Sequence, residues 1–317
     1  MKVIDVLNKS NKTLFSFELL PPLKGKDIGL IYETIDPLVE FNPAFISVTY
    51  HREEFMYKRH KNGLLEKRAI HKRPGTVAIS AAIKYKYQIT VLPHMICGGF
   101  SRSETENALI DLNFLGINNV LALRGDPMPT EKLFIPEEDG HNNAIDLVKQ
   151  IVAMNKGKYI DEDLENTTAT NFSAGVAGYP EKHIEAPNLD LDLKYLKEKI
   201  DAGAEYIITQ MFFDNQKYFD FVERCRRIGI NVPIIPGIKP ISTKKHLKML
   251  PSTFNIDLPT DLVNEVEKCK DTNQINEIGI EWATMQAKEL IKNNVPVVHF
   301  YTMGKAANVK RIVQSIF

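Results

Sequence analysis

Short apolar runs rich in β-branched and aromatic residues alternate along the chain with longer stretches whose apolar positions recur at helical spacing. The alternation occurs eight times, and such a pattern predicts parallel strands joined by helical crossovers. The predicted strands are 13–18, 45–49, 89–94, 119–123, 172–177, 206–210, 233–236 and 297–301. Several are apolar nearly throughout, as strands buried on both faces are. Between them, Ser103 and Glu106 form a predicted capping box ahead of Leu109, Leu112 and Leu115, with Gly116 closing the helix. Leu189, Leu193, Leu196 and Ile200 share one helical face ahead of Gly203. Asp214 opens a helix through Phe221 and Cys225 that Gly229 ends.

Eight such units predict a (β/α)₈ barrel. The rival, a doubly wound sheet, calls for a glycine-rich phosphate turn after its first strand. Here that strand runs into Glu18-Leu19-Leu20-Pro21-Pro22, and the chain contains neither GxGxxG nor GxxxxGK[ST]. Two stretches depart from the repeat. Residues 155–171 are polar and read as a surface insertion, and residues 256–272 as an extra helical segment before the eighth strand. The chain stops one helix after that strand, so a single domain over residues 1–317 is expected, with no C-terminal regulatory domain.

Composition narrows the class. Of 317 residues, 44% are hydrophobic and 25% charged, values of a globular chain. Forty basic residues balance forty acidic ones, so no global field draws the chain to nucleic acid or an anionic membrane. Cys97, Cys225 and Cys269 are odd in number and widely spaced, which argues against a disulfide framework and for a reducing, cytoplasmic setting. The N-terminus is too polar for a signal peptide, and no apolar run reaches the roughly 18 residues that span a bilayer.

In a barrel, chemistry gathers at the C-terminal ends of the strands. Those ends carry Glu18, Thr49, His94, Arg124-Gly125-Asp126, Tyr179, Gln210, Gly237 and Tyr301. Each has a plainer reading. Glu18 inside an apolar run needs a partner or a task, and a structural ion pair would serve. Arg124 and Asp126 suit a salt-bridged loop, His94 a satisfied core histidine, and His183 a structural turn. Phe212-Phe213 suits the core, and the basic run from Arg52 to Arg73 a solvated loop and helix face. The eight histidines show no metal spacing, and no nucleophile elbow occurs. Acids, histidines and amides remain, a set that suits a bound cofactor carrying the hard chemistry.

Read together, the strand-end strings resemble one family. Phe17-Glu18-Leu19-Leu20-Pro21-Pro22 resembles the FEFFPP-type opening of methylenetetrahydrofolate reductases. Ser47-Val48-Thr49-Tyr50, Pro93-His94-Met95-Ile96-Cys97 and Leu121-Ala122-Leu123-Arg124-Gly125-Asp126-Pro127 are similar to its next three strands. Ala177-Gly178-Tyr179-Pro180-Glu181-Lys182-His183 and Ile208-Thr209-Gln210-Met211-Phe212-Phe213-Asp214 match its fifth and sixth. Ile235-Pro236-Gly237-Ile238 and His299-Phe300-Tyr301-Thr302 complete the series, in order from about residue 12 to 316.

The resemblance implies a flavin barrel that reduces 5,10-methylenetetrahydrofolate to 5-methyltetrahydrofolate with NADH or NADPH, by ping-pong kinetics through FAD, supplying methyl groups for methionine synthesis. It also implies a homo-oligomer. Thr49, Tyr50, His94, Arg124, Gly125, Asp126, Ala144, Tyr179, His183, Ala186, Asp192 and Lys199 align with flavin contacts. Gln210 aligns with the pterin-binding amide, Glu18 with the general acid, and Asp126 with a carboxylate near pterin and flavin that Arg124 is expected to keep ionised. Two positions depart from the family. Lys244 stands where a bacterial member has a substrate-packing phenylalanine, and Met303-Gly304-Lys305 replaces Leu-Asn-Arg, leaving Lys305 to pair with the folate glutamate tail. The alternatives are a non-catalytic flavin- or folate-binding subunit and another FAD barrel oxidoreductase of the proline-dehydrogenase kind.

Overall fold

The computed structural model describes residues 1–128, 131–304 and 306–317. The chain opens with α1 (Val3–Lys9), β1 (Leu14–Leu19), α2 (Gly29–Val39) and β2 (Ile46–Val48). A hairpin, β3 (Glu54–Arg59) and β4 (Leu65–Ile70), precedes α3 (Thr76–Tyr87), β5 (Val91–Ile96), α4 (Arg102–Phe114) and β6 (Asn119–Leu123). Then come α5 (Ala144–Met154), β7 (Ser173–Gly178), α6 (Leu189–Asp201), β8 (Tyr206–Met211), α7 (Asn215–Arg227) and β9 (Ile234–Ile238). The last elements are α8 (His246–Phe254), α9 (Thr260–Lys268), α10 (Thr272–Lys292), β10 (Val297–Tyr301) and α11 (Ala306–Ile316).

Eight parallel strands close in the order β1-β10-β9-β8-β7-β6-β5-β2, which is the (β/α)₈ barrel that the alternation predicts and excludes the doubly wound sheet. All eight expected strands form, with ends displaced by at most two residues; 89–94, for example, becomes Val91–Ile96, and 119–123 and 297–301 stand unchanged. The extra segment at 256–272 is built around α9, and its Leu262 and Val266 pack with Met211, Phe213 and Ile241 in a satellite core. The insertion at 155–171 lies on the surface, pinned where the Ile160 N–H donates to Glu106 at 2.7 Å.

That contact corrects the capping box. Two Ser-x-x-Glu frames overlap, and the helix uses the earlier one. Ser101 caps α4 and exchanges hydrogen bonds with Glu104, so Ser103 lies inside the helix and Glu106 holds the insertion instead. The basic run from Arg52 to Arg73 is also not a loop and helix face. Its residues pair antiparallel as β3 and β4 outside the barrel.

The barrel interior becomes more polar from bottom to top. Val3 and Leu7 of α1 plug the lower end and pack with Phe45, Leu92, Leu121, Tyr206, Ile208, Ile235 and Val297. Phe15 and Phe17 face outward into the cluster that the helices cover. By alternation, Ser16 and Glu18 point inward. Ser16 Oγ lies 2.7 Å from Nδ1 of His299, and Ser47 Oγ 3.3 Å from its Nε2. Phe45 stacks beneath that imidazole, and burial holds it neutral, pushing its pKa down to about 3. Glu18 stands one level higher, paired in register with Tyr301.

One helix is held by a glycine. A Cβ on Gly279 of α10 would sit 1.9 Å from the backbone oxygen of Ile241, in the segment that follows β9. Backbone cannot yield as a side chain can, so Gly279→Ala should cost about 1–3 kcal/mol. Denaturant titration checks this, and a midpoint equal to that of the wild type would contradict it.

Candidate active site

The β1 strand delivers Glu18 to the open end of the barrel, and Pro21-Pro22 turn the chain away. The Glu18 side chain is only 13% exposed. Burial pushes its carboxyl up to about 7, against a hydrogen bond from Thr49 and the charge of Lys239, which both pull it down. Thr49 is fixed just beyond β2, where its N–H donates to the carbonyl of Leu19 at 3.0 Å and its hydroxyl oxygen lies 3.1 Å from the same carbonyl, so its one proton serves either that carbonyl or Glu18.

His94 comes from β5. Its Nε2 lies 3.6 Å from Glu18 Oε2 and has no hydrogen-bond partner. Burial drives this imidazole down to about 3, so the contact joins a neutral ring to a carboxyl and is not an ion pair. His94 is therefore buried but not satisfied, which sets aside its reading as a satisfied core histidine. A donor or acceptor that the fold leaves unmet at a strand end suits a ligand.

The loop after β6 carries Arg124, Gly125 and Asp126. Arg124 does not pair with Asp126, as the salt-bridged loop would have it. Its Nη2 donates to Glu185 Oε1 at 2.7 Å, across to the segment after β7. The longer reach wins because a guanidinium fork and a carboxylate align two bonds there, which a neighbour two residues away does not offer. Asp126 is exposed at the rim, where its charge is felt by His51, Arg124 and Tyr179. Gly125 adopts φ +89°, and a Cβ there would press on Ile96 at 3.3 Å.

Beyond β7, Tyr179 and His183 meet edge to face at 4.7 Å, and the His183 N–H donates to Asp192 Oδ2 at 2.8 Å. Lys199 of α6 donates to the carbonyl of Ala177 at 2.7 Å, and burial lowers its pKa to about 8. Ala186 is buried, and its carbonyl accepts from Lys182. Ala144 is the first residue of α5, and Tyr50 packs on Phe100 at 5.1 Å. Gln210, near the end of β8, accepts from the Met211 N–H through its Oε1. Glu18, Thr49, His94, Arg124, Gly125, Asp126, Tyr179 and Gln210 thus stand at or just beyond the C-terminal ends of the strands, while Ala144, Asp192 and Lys199 belong to α5 and α6. Lys305 lies outside the described residues. Lys244 donates to the carbonyl of Glu267 at 2.8 Å, which ties its loop to α9.

Sequence reasoning passed over Lys239. It follows β9 directly and is 4% exposed. Burial lowers its pKa to about 8, against the charge of Glu18, which raises it. The signal was present, since a cation stands inside Ile234-Ile235-Pro236-Gly237-Ile238-Lys239-Pro240-Ile241 as Glu18 stands inside its own apolar run.

A cleft of about 610 Å³ lies off the barrel mouth, between the start of α7 and α10, and includes Glu181, Asp214, Asp257 and Trp282. Its carboxylates serve the fold: Asp214 caps α7, and Glu181 accepts from the Asp257 N–H at 2.9 Å. Among the described residues no helix is long and apolar enough to cross a membrane.

Residues 2–316 match the family described as methylenetetrahydrofolate reductase. Methylenetetrahydrofolate reductase (NADH) 1 of Arabidopsis thaliana is 33% identical over 96% of this chain and 49% of its own length. The 5,10-methylenetetrahydrofolate reductase of Pectobacterium carotovorum subsp. carotovorum is 31% identical over 92% of this chain and 86% of its own. The chain spans about half the length of the plant and animal relatives it matches. Among solved structures, a Clostridium thermocellum protein described as binding two copies of 5-methyl-5,6,7,8-tetrahydrofolic acid superposes with a TM-score of 0.55. It is 14% identical over 98% of both chains, a likeness that shows the fold.

The raised Glu18 carboxyl carries a stability signature. Unfolded, it titrates at its ordinary 4.5; folded, at about 7. The folded chain thus holds the proton more tightly, and that stabilisation is complete below the ordinary value and lost as pH rises through the folded one. Glu18→Gln does not titrate. Relative to wild type it should gain stability across that window, on the order of 1–3 kcal/mol. Denaturant melts near pH 5 and near pH 8 check this, and a difference that does not change with pH would contradict it.

Proposed function

The chain belongs to the methylenetetrahydrofolate reductase family, and from that premise we propose that it reduces 5,10-methylenetetrahydrofolate to 5-methyltetrahydrofolate at the open end of the barrel, with NADH or NADPH as reductant and FAD as cofactor. The observation that carries this is a proton-bearing carboxyl, Glu18, at the buried strand end.

The residues present fit FAD. Arg124 and Lys199 offer cations to a pyrophosphate, with Arg124 exchanging Glu185 for it. The unmet Nε2 of His94, the Thr49 hydroxyl and the side-chain-free Gly125 suit a flat polar ring. Tyr50, Ala144, Tyr179, His183, Ala186 and Asp192 would hold the remainder. When bound, the flavin supplies hydride carriage between nicotinamide and folate, which take turns at one site. The methyl product is of the kind that methionine synthesis consumes.

The acid chemistry falls to this chain. The imidazolidine ring of the substrate opens when the bond between its methylene carbon and N10 breaks. The electron pair stays on N10, which takes the proton of Glu18, and the methylene remains on N5 as an iminium cation. A carboxyl that titrates near 7 is well matched to this task near neutral pH. The exposed carboxylate of Asp126 stabilises the cation, and the amide of Gln210 hydrogen-bonds the pterin. Two carboxyl groups serve opposite ends of one step because one is buried in the barrel and the other stands at its rim.

Glu18→Gln keeps the shape but cannot give up the proton. Folate reduction should fall by about 10²–10⁴-fold. Nicotinamide oxidation with an artificial quinone acceptor needs no proton at N10, and should stay within a factor of about ten. The purified variant should keep the flavin absorbance of the wild type. Equal losses in both reactions would make Glu18 structural, and undiminished folate reduction would remove it from the mechanism.

A further inference from the structure

The mouth of the barrel holds a buried cation that the proposed chemistry has not used. Strand register fixes its level. Ser16, His299 and Gly237 pair across β1, β10 and β9, and their inward face carries the Ser16–His299 hydrogen bond. Two residues on, Glu18 pairs with Tyr301. Phe300 pairs with Ile238, so Lys239 follows level with Tyr301. Glu18 and Lys239 therefore flank Tyr301 in the uppermost inward layer.

Gly237 explains how that layer is accommodated. A Cβ there would lie 2.5 Å from the Tyr301 ring, and the Tyr301 hydroxyl donates to the carbonyl of Thr209 at 2.6 Å. The phenol thus leans across Gly237 toward β8. Two residues beyond Lys239, the Ile241 backbone packs directly against Gly279 of α10.

A buried ammonium is costly unless it is compensated. The groups that face Glu18 are Thr49 beyond β2, His94 on β5, Tyr301 on β10 and Lys239 beyond β9. Thr49 has no charge, His94 is neutral, and burial pushes the Tyr301 phenol well above its ordinary range. Among these groups Lys239 alone brings positive charge, and Glu18 and Lys239 act on each other.

We propose that Lys239 is the positioning cation of the acid catalyst: from the same interior layer of the barrel, its ammonium stabilises the carboxylate that Glu18 becomes on giving its proton to N10. The inference rests on the reading of Glu18 as proton donor. Before the step, the carboxyl is neutral and the ammonium has only a weak partner. As the carbon–N10 bond breaks, the electron pair goes to N10, the proton follows it from Glu18, and the ammonium faces a full negative charge. Lys239 thus stabilises the product side of the proton transfer more than the reactant side, which is the condition for accelerating it. Water returns the proton to Glu18 before the next cycle.

The test is the pH profile of folate reduction by the flavin-loaded enzyme, in wild type, Lys239→Met, Lys239→Arg and Glu18→Gln. Wild-type activity should fall as pH rises through the Glu18 titration near 7. Removing the cation makes the carboxyl hold its proton more tightly. In Lys239→Met the falling limb should move to higher pH by about one unit or more. The plateau on the acid side should drop by about tenfold or more, since a weaker acid donates more slowly. Lys239→Arg should return the limb toward its wild-type position. If Lys239→Met does not fold, Lys239→Gln makes the same comparison. An unmoved limb in a folded, flavin-bound, charge-free variant overturns the role of Lys239 while leaving Glu18 as the acid. Persistence of the limb in Glu18→Gln overturns the reading of Glu18, and this inference with it.

Discussion

A carboxyl group carried into an apolar barrel has to be neutral, paired or put to use. That constraint on Glu18 organises the upper half of this molecule. Charging it fully in so dry a place would cost several kcal/mol. The fold answers with one hydroxyl, one neutral imidazole and one ammonium at the next level position. The hydroxyl and the ammonium pull the carboxyl part of the way back toward its ordinary range, and it settles at about 7. Fuller compensation would leave it ionised and unable to act as an acid, and none would leave it holding its proton too firmly. The partial answer is the useful one.

The rest of the barrel serves that balance. The plug of α1 residues keeps the lower interior dry, and the Ser16–His299–Ser47 layer begins the polar upper half without adding a charge. Gly237 makes room for Tyr301, and Gly279 lets α10 press directly on the backbone beyond Lys239. These glycines carry no chemistry, yet they fix the height and spacing of groups that do. At the rim, Arg124 engages Glu185.

Much of this was legible in the sequence because a barrel converts strand ends into a site. Once the eight alternations were counted, Glu18, Thr49, His94, Asp126, Tyr179 and Gln210 followed from position alone. Lys239 escaped because the seventh predicted strand stopped at residue 236, three residues short of it. A rule that asks of every charge in an apolar run what compensates it would have found Lys239 by the argument that found Glu18. Other misses have equally local causes. Two overlapping Ser-x-x-Glu frames cannot be separated without knowing that residue 160 needs an acceptor. The β3–β4 hairpin has polar residues on both faces and lacks the apolar alternation that marks a strand. The partner of Arg124 lies 61 positions away, beyond any local pattern.

Glu18 keeps its proton to near neutral pH in the folded chain. Infrared difference spectra between about pH 5 and about pH 9, taken on wild type and on Glu18→Gln, read that proton directly through the carbonyl stretch of a protonated carboxyl. Wild type should show protonated-carboxyl intensity that the variant lacks, disappearing with a midpoint near 7, while Glu181, which burial also pushes up to about 7, contributes equally to both. No difference between wild type and variant, or a difference already lost near the ordinary carboxyl value of 4.5, would contradict it.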